Sequence, residues 1–572
     1  MYTTFHIPKE ANTYADTLEA YGVAHLVQAI YDNLNIEGYI KIYDREVYFE
    51  ILLEEPLTQE ILKGLTYFQI IEFIKKDEKT GLPKNFTGVN YFDFSKQKEI
   101  KSNRKADFDA IKDLKKDERK NAILRIEEIY HSKGANRLRD EYDVLSQLAD
   151  NNNINAFYKI YENLNLNKDK FNVIISEILN QYIVGIEGSS EYEKLIKQKK
   201  ISVKKNITNL QLINPNKGKG LNKAKAWGIE TKNCSSKWTK ELMKLNGAMK
   251  FGMTCILFPS GSRSFDMKVY VPVFNEMILE EKTSLLKKFK RIASSNTPIK
   301  LDIQNTLKIC ELFLKQHERK RRRKLKEFLL GFHVVYQKQL SQHTKSVTNI
   351  GFLETPDFID LTDREDWLEI IEDQKKVMNG IIEQGDAMIG LLAYRNFLNG
   401  SDINEYFKFN YWFASYLMHE LSNKKQTYVT TNKIETLNKI FTLMDISFKK
   451  IIENEGFQGV AAAIRKSTVS LQYTPKEQRK FDVQYGLAQK LQNKSNSKED
   501  LISFIGEFVA KYNSDTARQY EKTNKAFRAN VKDKELFAFF ELVDIVNSKV
   551  LGAMLAAYGF ALNKKDKETS EE

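Results

Sequence analysis

From residue 431 to the C-terminus the chain carries a pattern that one kind of structure satisfies. Ile434, Leu437, Ile440, Phe441, Met444, Phe448 and Ile451 recur at three- and four-residue spacing. An α-helix turns once in about 3.6 residues, so they form one apolar stripe that must be buried. Thr474-Pro475-Lys476-Glu477 reads as a helix start: a capping threonine, a proline at the first helical position and a glutamate closing a capping box. Ser497-Lys498-Glu499-Asp500 opens another helix, with Leu501, Phe504, Ile505, Phe508, Val509 and Tyr512 on one side. Asp533 begins the last helix, through Phe537, Phe540, Val543 and Val550 to Ala556-Ala557-Tyr558-Gly559. Four or five such helices with short loops predict an antiparallel bundle.

Upstream the texture is mixed. Leu18, Tyr21, Ala24, Val27 and Ile30 predict a helix over 15–35. Tyr39–Tyr43 and Glu46–Glu50 read as a hairpin around Asp44-Arg45, and 58–75 reads as helical. Residues 96–150 are highly charged, with Lys115–Lys120 on an exposed helix. Met249–Phe258 and Phe265–Phe274 predict two strands joined by Pro259–Ser264. After 300 the chain reads as mostly helical. The aromatic stretch Tyr406, Phe407, Phe409, Tyr411, Trp412, Phe413 and Tyr416 reads as core rather than as a platform for bases. The fold class is α+β: a mixed, mostly helical N-terminal body with small antiparallel sheets over 1–430, then an all-α bundle over 431–572.

A chain of 572 residues with 42% apolar side chains has the means to bury more than one core. Its formal charge is +13, gathered in short runs, which favours a polyanionic partner. Cys234, Cys255 and Cys310 are single and widely separated, which supports neither a disulfide framework nor a cysteine zinc site and suits a reducing cytoplasm. No secretory pattern opens the chain, and Val550–Leu562 is too short to span a bilayer. The expectation is a cytoplasmic protein without a membrane partner.

No phosphate-binding loop, nucleophile elbow or zinc-protease motif is present, and the seven histidines are scattered, so no catalytic or metal-ligating residue is assigned. Three basic regions stand out instead. In the first, Asn214, Asn216, Lys217, Gly218, Lys219, Gly220, Asn222, Lys223 and Lys225 combine amide donors, cations and glycines that permit close backbone approach, as a loop against phosphates requires. Lys197, Lys199, Lys200, Lys204 and Lys205 lead into it. The second is Arg319, Lys320, Arg321, Arg322, Arg323, Lys324 and Lys326, whose mutual repulsion calls for an anionic counterpart. In the third, Arg518, Lys522 and Lys525 share a helical face, Arg528 follows, and Arg465-Lys466 and Arg479-Lys480 lie on neighbouring helices, a pattern for tracking a single strand. Arg263, at a hairpin tip, is a candidate for groove insertion.

The segment Asn214–Ala226 and the bundle stretch from Leu501 through Lys511–Arg518 to Gly552–Gly559, set in this layout, resemble the large subunit of the CRISPR type I Cascade complex, in its I-A and I-B forms, with an internal small-subunit-like bundle. The resemblance implies a non-catalytic, cytoplasmic prokaryotic subunit without cofactor. It would work with guide RNA, target DNA and other Cascade subunits. It would read a motif beside the target, help open the duplex, steady the displaced strand and recruit a helicase–nuclease in trans. Some relatives carry CxxC zinc pairs; this chain has none. The resemblance also admits an internal start at Met418 or Met444 that releases the bundle separately. Two further readings stand beside it: a non-CRISPR nucleic-acid-binding protein, and a nuclease whose carboxylates the sequence does not reveal.

Overall fold

A computed structural model describes residues 1–84, 86, 91–132, 145, 148, 154–215, 235–257, 266–289, 297–316, 323–341, 344–381, 385–423 and 430–563. The fold is α+β and mostly helical, with small, largely antiparallel sheets. The chain forms two compact units, Met1–Ser294 with Glu327–Leu353, and Ser295–Lys326 with Glu354–Glu572. The boundary expected at 430 therefore lies inside the second unit, where the helices after 431 share a core with those from 298 to 422.

In the first unit β1 (Tyr2–Pro8), β2 (Ile40–Asp44), β3 (Tyr48–Leu57) and β10 (Glu276–Ile278) form a sheet in the order β1-β3-β2-β10. The expected hairpin is present as β2 and β3, with Ile42 opposite Ile51. A second sheet, β12-β11-β9-β8, comprises β8 (Met253–Leu257), β9 (Asp266–Phe274), β11 (Leu329–Ser341) and β12 (Thr344–Glu354). Every residue of β9 is buried, as expected of a central strand. Two small pairs, β4 (Phe73–Lys75) with β5 (Tyr91–Asp93) and β6 (Asn206–Thr208) with β7 (Ser235–Lys237), complete the described strands.

The core of this unit is built on α1 (Tyr14–Leu34). Its N-cap Thr13 accepts from the Ala15 amide, and it ends at Asn35 in the left-handed conformation. It packs along α8 (Trp238–Phe251) so closely that a β-carbon on Gly22 would lie 1.9 Å from the Met243 carbonyl oxygen, and one on Gly247 1.9 Å from that of Leu18. Between α1 and α8 come α2 (Gln59–Lys63), α3 (Phe94–Ala110), α4 (Lys116–Ser132), α5 (Ile154–Asn165), α6 (Phe171–Asn180) and α7 (Ser190–Lys197). The helix expected over 58–75 stops after α2, and Phe73–Lys75 pairs in parallel with β5. The strand expected from Met249 begins at Met253, because α8 runs on to Phe251. Helix α9 (Leu279–Phe289) follows β10.

In the second unit α10 (Pro298–Gln316), α11 (Arg364–Gly380), α12 (Ala387–Gly400) and α13 (Ile403–Ser422) precede α14 (Ile434–Met444), α15 (Phe448–Ile452) and α16 (Glu455–Ser467). The aromatic stretch is core, as expected: Tyr406, Phe407, Phe409 and Phe413 are buried, and Tyr406 stacks on Phe397 at 4.6 Å between ring centres. Then come α17 (Leu487–Lys494), α18 (Lys498–Thr523), α19 (Asp533–Ile545) and α20 (Ser548–Gly559). Ser497 caps α18 by accepting from the Asp500 amide, as its sequence requires. The start expected at Thr474 yields only a 3-10 turn, Lys476–Gln478, since Pro475 is extended at ψ 142°. The helix expected from Asp533 onward is interrupted at Val546-Asn547, where Asn547 caps α20. No helix among the described residues is long and apolar enough to cross a membrane.

Candidate nucleic-acid interface

Asn214 is 1% exposed and works inside the protein. Its Nδ2 donates to the Leu210 carbonyl at 3.1 Å and to Glu241 Oε2 at 2.9 Å, and its Oδ1 accepts from Lys244 Nζ at 3.0 Å. Ser236 donates to Glu241 Oε1 at 2.7 Å. Lys244 lies 3.3 Å from Glu241 and 3.8 Å from Glu19, whose carboxylate also receives the Tyr182 hydroxyl at 2.9 Å. Burial pushes the Glu19 carboxyl up despite Lys244 beside it; the lysine, against its own burial, is drawn up by Glu241 and Glu19. Asn214 is thus corrected from contact residue to anchor. Asn216, Lys217, Gly218, Lys219, Gly220, Asn222, Lys223 and Lys225 lie outside the described residues. Of the lysines leading in, Lys205 is spent on Glu193 at 3.0 Å and Lys204 lies 3.8 Å from Glu162.

Arg263, Arg319, Arg321 and Arg322 also lie outside the described residues. Arg323 is half-buried; its carbonyl accepts from the Leu361 amide, and the backbone of the next residue, Lys324, forms an isolated β-bridge with that of Asp360. Lys326 pairs with Glu354, so this end of the second basic run finds part of its countercharge within the chain.

The third region divides. Arg465 is 5% exposed and donates through Nη1 to the Tyr558 carbonyl at 2.9 Å, a cation placed where the dipole at the C-terminus of α20 favours one. It is not an interface residue. Lys466 is half-buried on the last turn of α16. Arg528 is enclosed too: its guanidinium carbon sits 3.7 Å from the Phe481 ring centre and 3.8 Å from that of Tyr512. Its Nε donates to Thr516 Oγ1 at 2.8 Å and its Nη2 to the Tyr512 carbonyl at 2.9 Å. Burial draws its pKa down, against the pull of Tyr512 and Asp515. Arg528 is therefore a clasp, and its expected role in strand contact is corrected to holding two loops on α18.

What the clasp positions is exposed. Phe481 brings Arg479-Lys480 against the turn after α18, and Lys480 Nζ lies 5.7 Å from the ring centre of Phe527, itself 41% exposed. Arg479 is half-buried, with Nε donating to the Thr474 carbonyl at 3.0 Å. Tyr520, 52% exposed, precedes the left-handed turn at Asn524, and Phe527 follows it. Arg518, Lys522 and Lys525 are exposed around the same turn. Lys525 does not extend the helical face, because α18 ends at Thr523. Arg518, Lys480, Lys522 and Lys525 make no ion pair among the described residues. The outcome is a helix end and following turn with four exposed cations and two exposed rings, groups suited to phosphates and unpaired bases. Tyr520 and Phe527 were not singled out from sequence, although aromatics interleaved with cations at 479–481 and 525–528 were there to read.

Among the described residues no three His, Cys, Asp or Glu side chains converge as a metal site requires. The family models searched contain no match to this chain, and no curated protein matches it.

Proposed function

We propose that this chain is a nucleic-acid-binding subunit of an RNA-guided complex, the large subunit of a CRISPR type I surveillance assembly. The observation that carries the nucleic-acid part is the end of α18 and the turn after it, where Lys480, Arg518, Lys522 and Lys525 and the rings of Tyr520 and Phe527 are exposed, Lys480 lies over Phe527, and Arg528 clasps the neighbouring loop through Phe481. Cations neutralise phosphates and the rings offer stacking faces that accept any base. The complex-specific part rests on the resemblance carried by 214–226 and 501–559. In this reading the chain acts in the cytoplasm with guide RNA, target DNA, companion subunits and a helicase–nuclease recruited in trans, and it performs no chemistry itself.

The test is purification of the chain from its native host and sequencing of the co-purifying RNA. Short RNAs of uniform length with repeat-derived ends are expected; an intact preparation without them overturns the assignment. Single-strand binding is tested separately with the double variant Tyr520→Ala/Phe527→Ala. Stacking contributes about 1–3 kcal/mol per base, so affinity should fall at least fivefold.

A further inference from the structure

Glu311, on α10, gathers three ammonium groups. Lys315 Nζ lies 2.7 Å from Oε1, while Lys375 and Lys308 lie 2.7 Å and 3.2 Å from Oε2. Lys308 and Lys315 stand three residues before and four after Glu311, within reach along one helical face. Lys375 comes from α11, which runs antiparallel beside α10: Lys300 donates to the Ile381 carbonyl near one end, and Arg364 to the Leu314 carbonyl near the other.

The glutamate side chain is 10% exposed and the lysines are 29%, 58% and 29% exposed for Lys308, Lys315 and Lys375. Burial opposes the glutamate charge. Hydrogen bonds from Lys315 and Lys375, with the charges of Lys375 and Lys308, overcome that and hold the carboxyl at about 2. At neutral pH three positive charges thus surround one negative charge, leaving an excess of two. Among the described residues none of the three lysines has a second carboxylate within ion-pair distance. One lysine would neutralise the glutamate; the other two repel each other and the first, which acceptor oxygens from outside would relieve. An ammonium carries three donors, so capacity beyond Glu311 remains on each.

We propose that this cluster is a second nucleic-acid contact, taking the phosphodiester backbone, with Glu311 as the spacer that gathers the lysines and not as a ligand. A phosphodiester offers acceptor oxygens and one negative charge per residue of the strand, which is what three donors with surplus positive charge recognise. The proposal rests on the reading that the chain binds nucleic acid.

The experiment uses the full chain and fluorescently labelled single-stranded DNA of random sequence, titrated at several sodium chloride concentrations. On a single strand each lysine that meets a phosphate contributes about 0.7 to the slope of log affinity against log salt. The triple variant Lys308→Gln/Lys315→Gln/Lys375→Gln should flatten the slope by about two and weaken binding at low salt. Because the triple change strips Glu311 of its partners, Lys315→Gln alone serves as the milder variant, expected to flatten the slope by about 0.7. Unchanged slopes in folded samples of both variants overturn the proposal. If Tyr520→Ala/Phe527→Ala weakens binding while the lysine variants do not, this site alone falls; if the unaltered chain binds no DNA, the functional reading falls with it.

Discussion

Asn214 and Ser236 meet on opposite oxygens of one carboxylate, that of Glu241, at 2.9 Å and 2.7 Å. The residues bordering the lysine-rich 216–234 segment are thereby fixed to a single buried group on α8, which Lys244 and Glu19 tie in turn to α1. The borders of the first basic region are built into the core of the first unit.

Removing that carboxylate should be costly. Glu241→Ala leaves Lys244 with only the more distant Glu19 carboxylate and takes one hydrogen bond each from Asn214 and Ser236. Breaking a buried pair costs about 3–5 kcal/mol. Denaturant unfolding of the first unit should show a loss of at least about 2 kcal/mol, with Glu19 taking up part of the deficit; a loss below 1 kcal/mol would show that the network is dispensable.

The pH dependence should be dominated by one lysine between neutrality and pH 10. Lys282 on α9 is fully buried, its Nζ lying 5.6 Å from the Tyr21 ring centre and 5.2 Å from that of Phe274, and burial pushes its pKa down to about 7. The unfolded chain holds that proton up to about pH 10.4, whereas the folded chain releases it near 7, so the unfolded form binds more protons between those limits. Stability therefore rises with pH across that window, by about 1.4 kcal/mol per unit, and is flat below it. Lys282→Met should abolish the slope and stabilise the protein at pH 7, as read from denaturant midpoints across pH.

Lysine should not replace arginine at 528. A guanidinium stacks on Phe481 and Tyr512 with both faces while donating from its edge to Thr516 and the Tyr512 carbonyl; an ammonium has no such faces. Arg528→Lys should cost about 1–3 kcal/mol and loosen the 479–486 and 524–531 loops, seen as faster amide exchange there. Exchange unchanged in both loops would contradict the clasp.

Gly22 and Gly247 should be intolerant of even a methyl group. A β-carbon at either would fall 1.9 Å from a carbonyl oxygen of the opposing helix, so α1 and α8 would have to separate. Gly247→Ala should destabilise by about 3 kcal/mol although alanine is the better helix former by about 1 kcal/mol. A thermal scan showing stabilisation would mean that the helices yield easily.

Local signals in the sequence carried the elements whose cause is local. Ser497 caps α18 because an N-cap depends on residues within three positions, and β2–β3 form because their alternation and turn are contiguous. Tertiary causes were not legible. Phe73–Lys75 became a strand because β5 lay ready to pair with it, and Pro475 stayed extended with no side-chain cap from Thr474. Of the candidate site residues, Lys480, Arg518, Lys522 and Lys525 are exposed, whereas Arg465, Arg528 and Asn214 turn inward, which basic sequence alone did not distinguish. Their partners, Tyr558, Phe481 and Glu241, lie 27 to 93 positions away. Charge alone does not say whether a cation serves a ligand or a helix end.

The two units interleave along the chain, and that orders their making. A ribosome that has delivered the first 294 residues has supplied β9, every residue of which is buried in the finished protein, without the β11 strand that pairs with it from Leu329 to Gln337. The nascent first unit must wait, one flank of its central strand open, while α10 emerges and is left for a core that does not yet exist. Only once β11 is out can the sheet close, so this half of the protein passes through synthesis with a sticky edge that a chaperone has reason to cover.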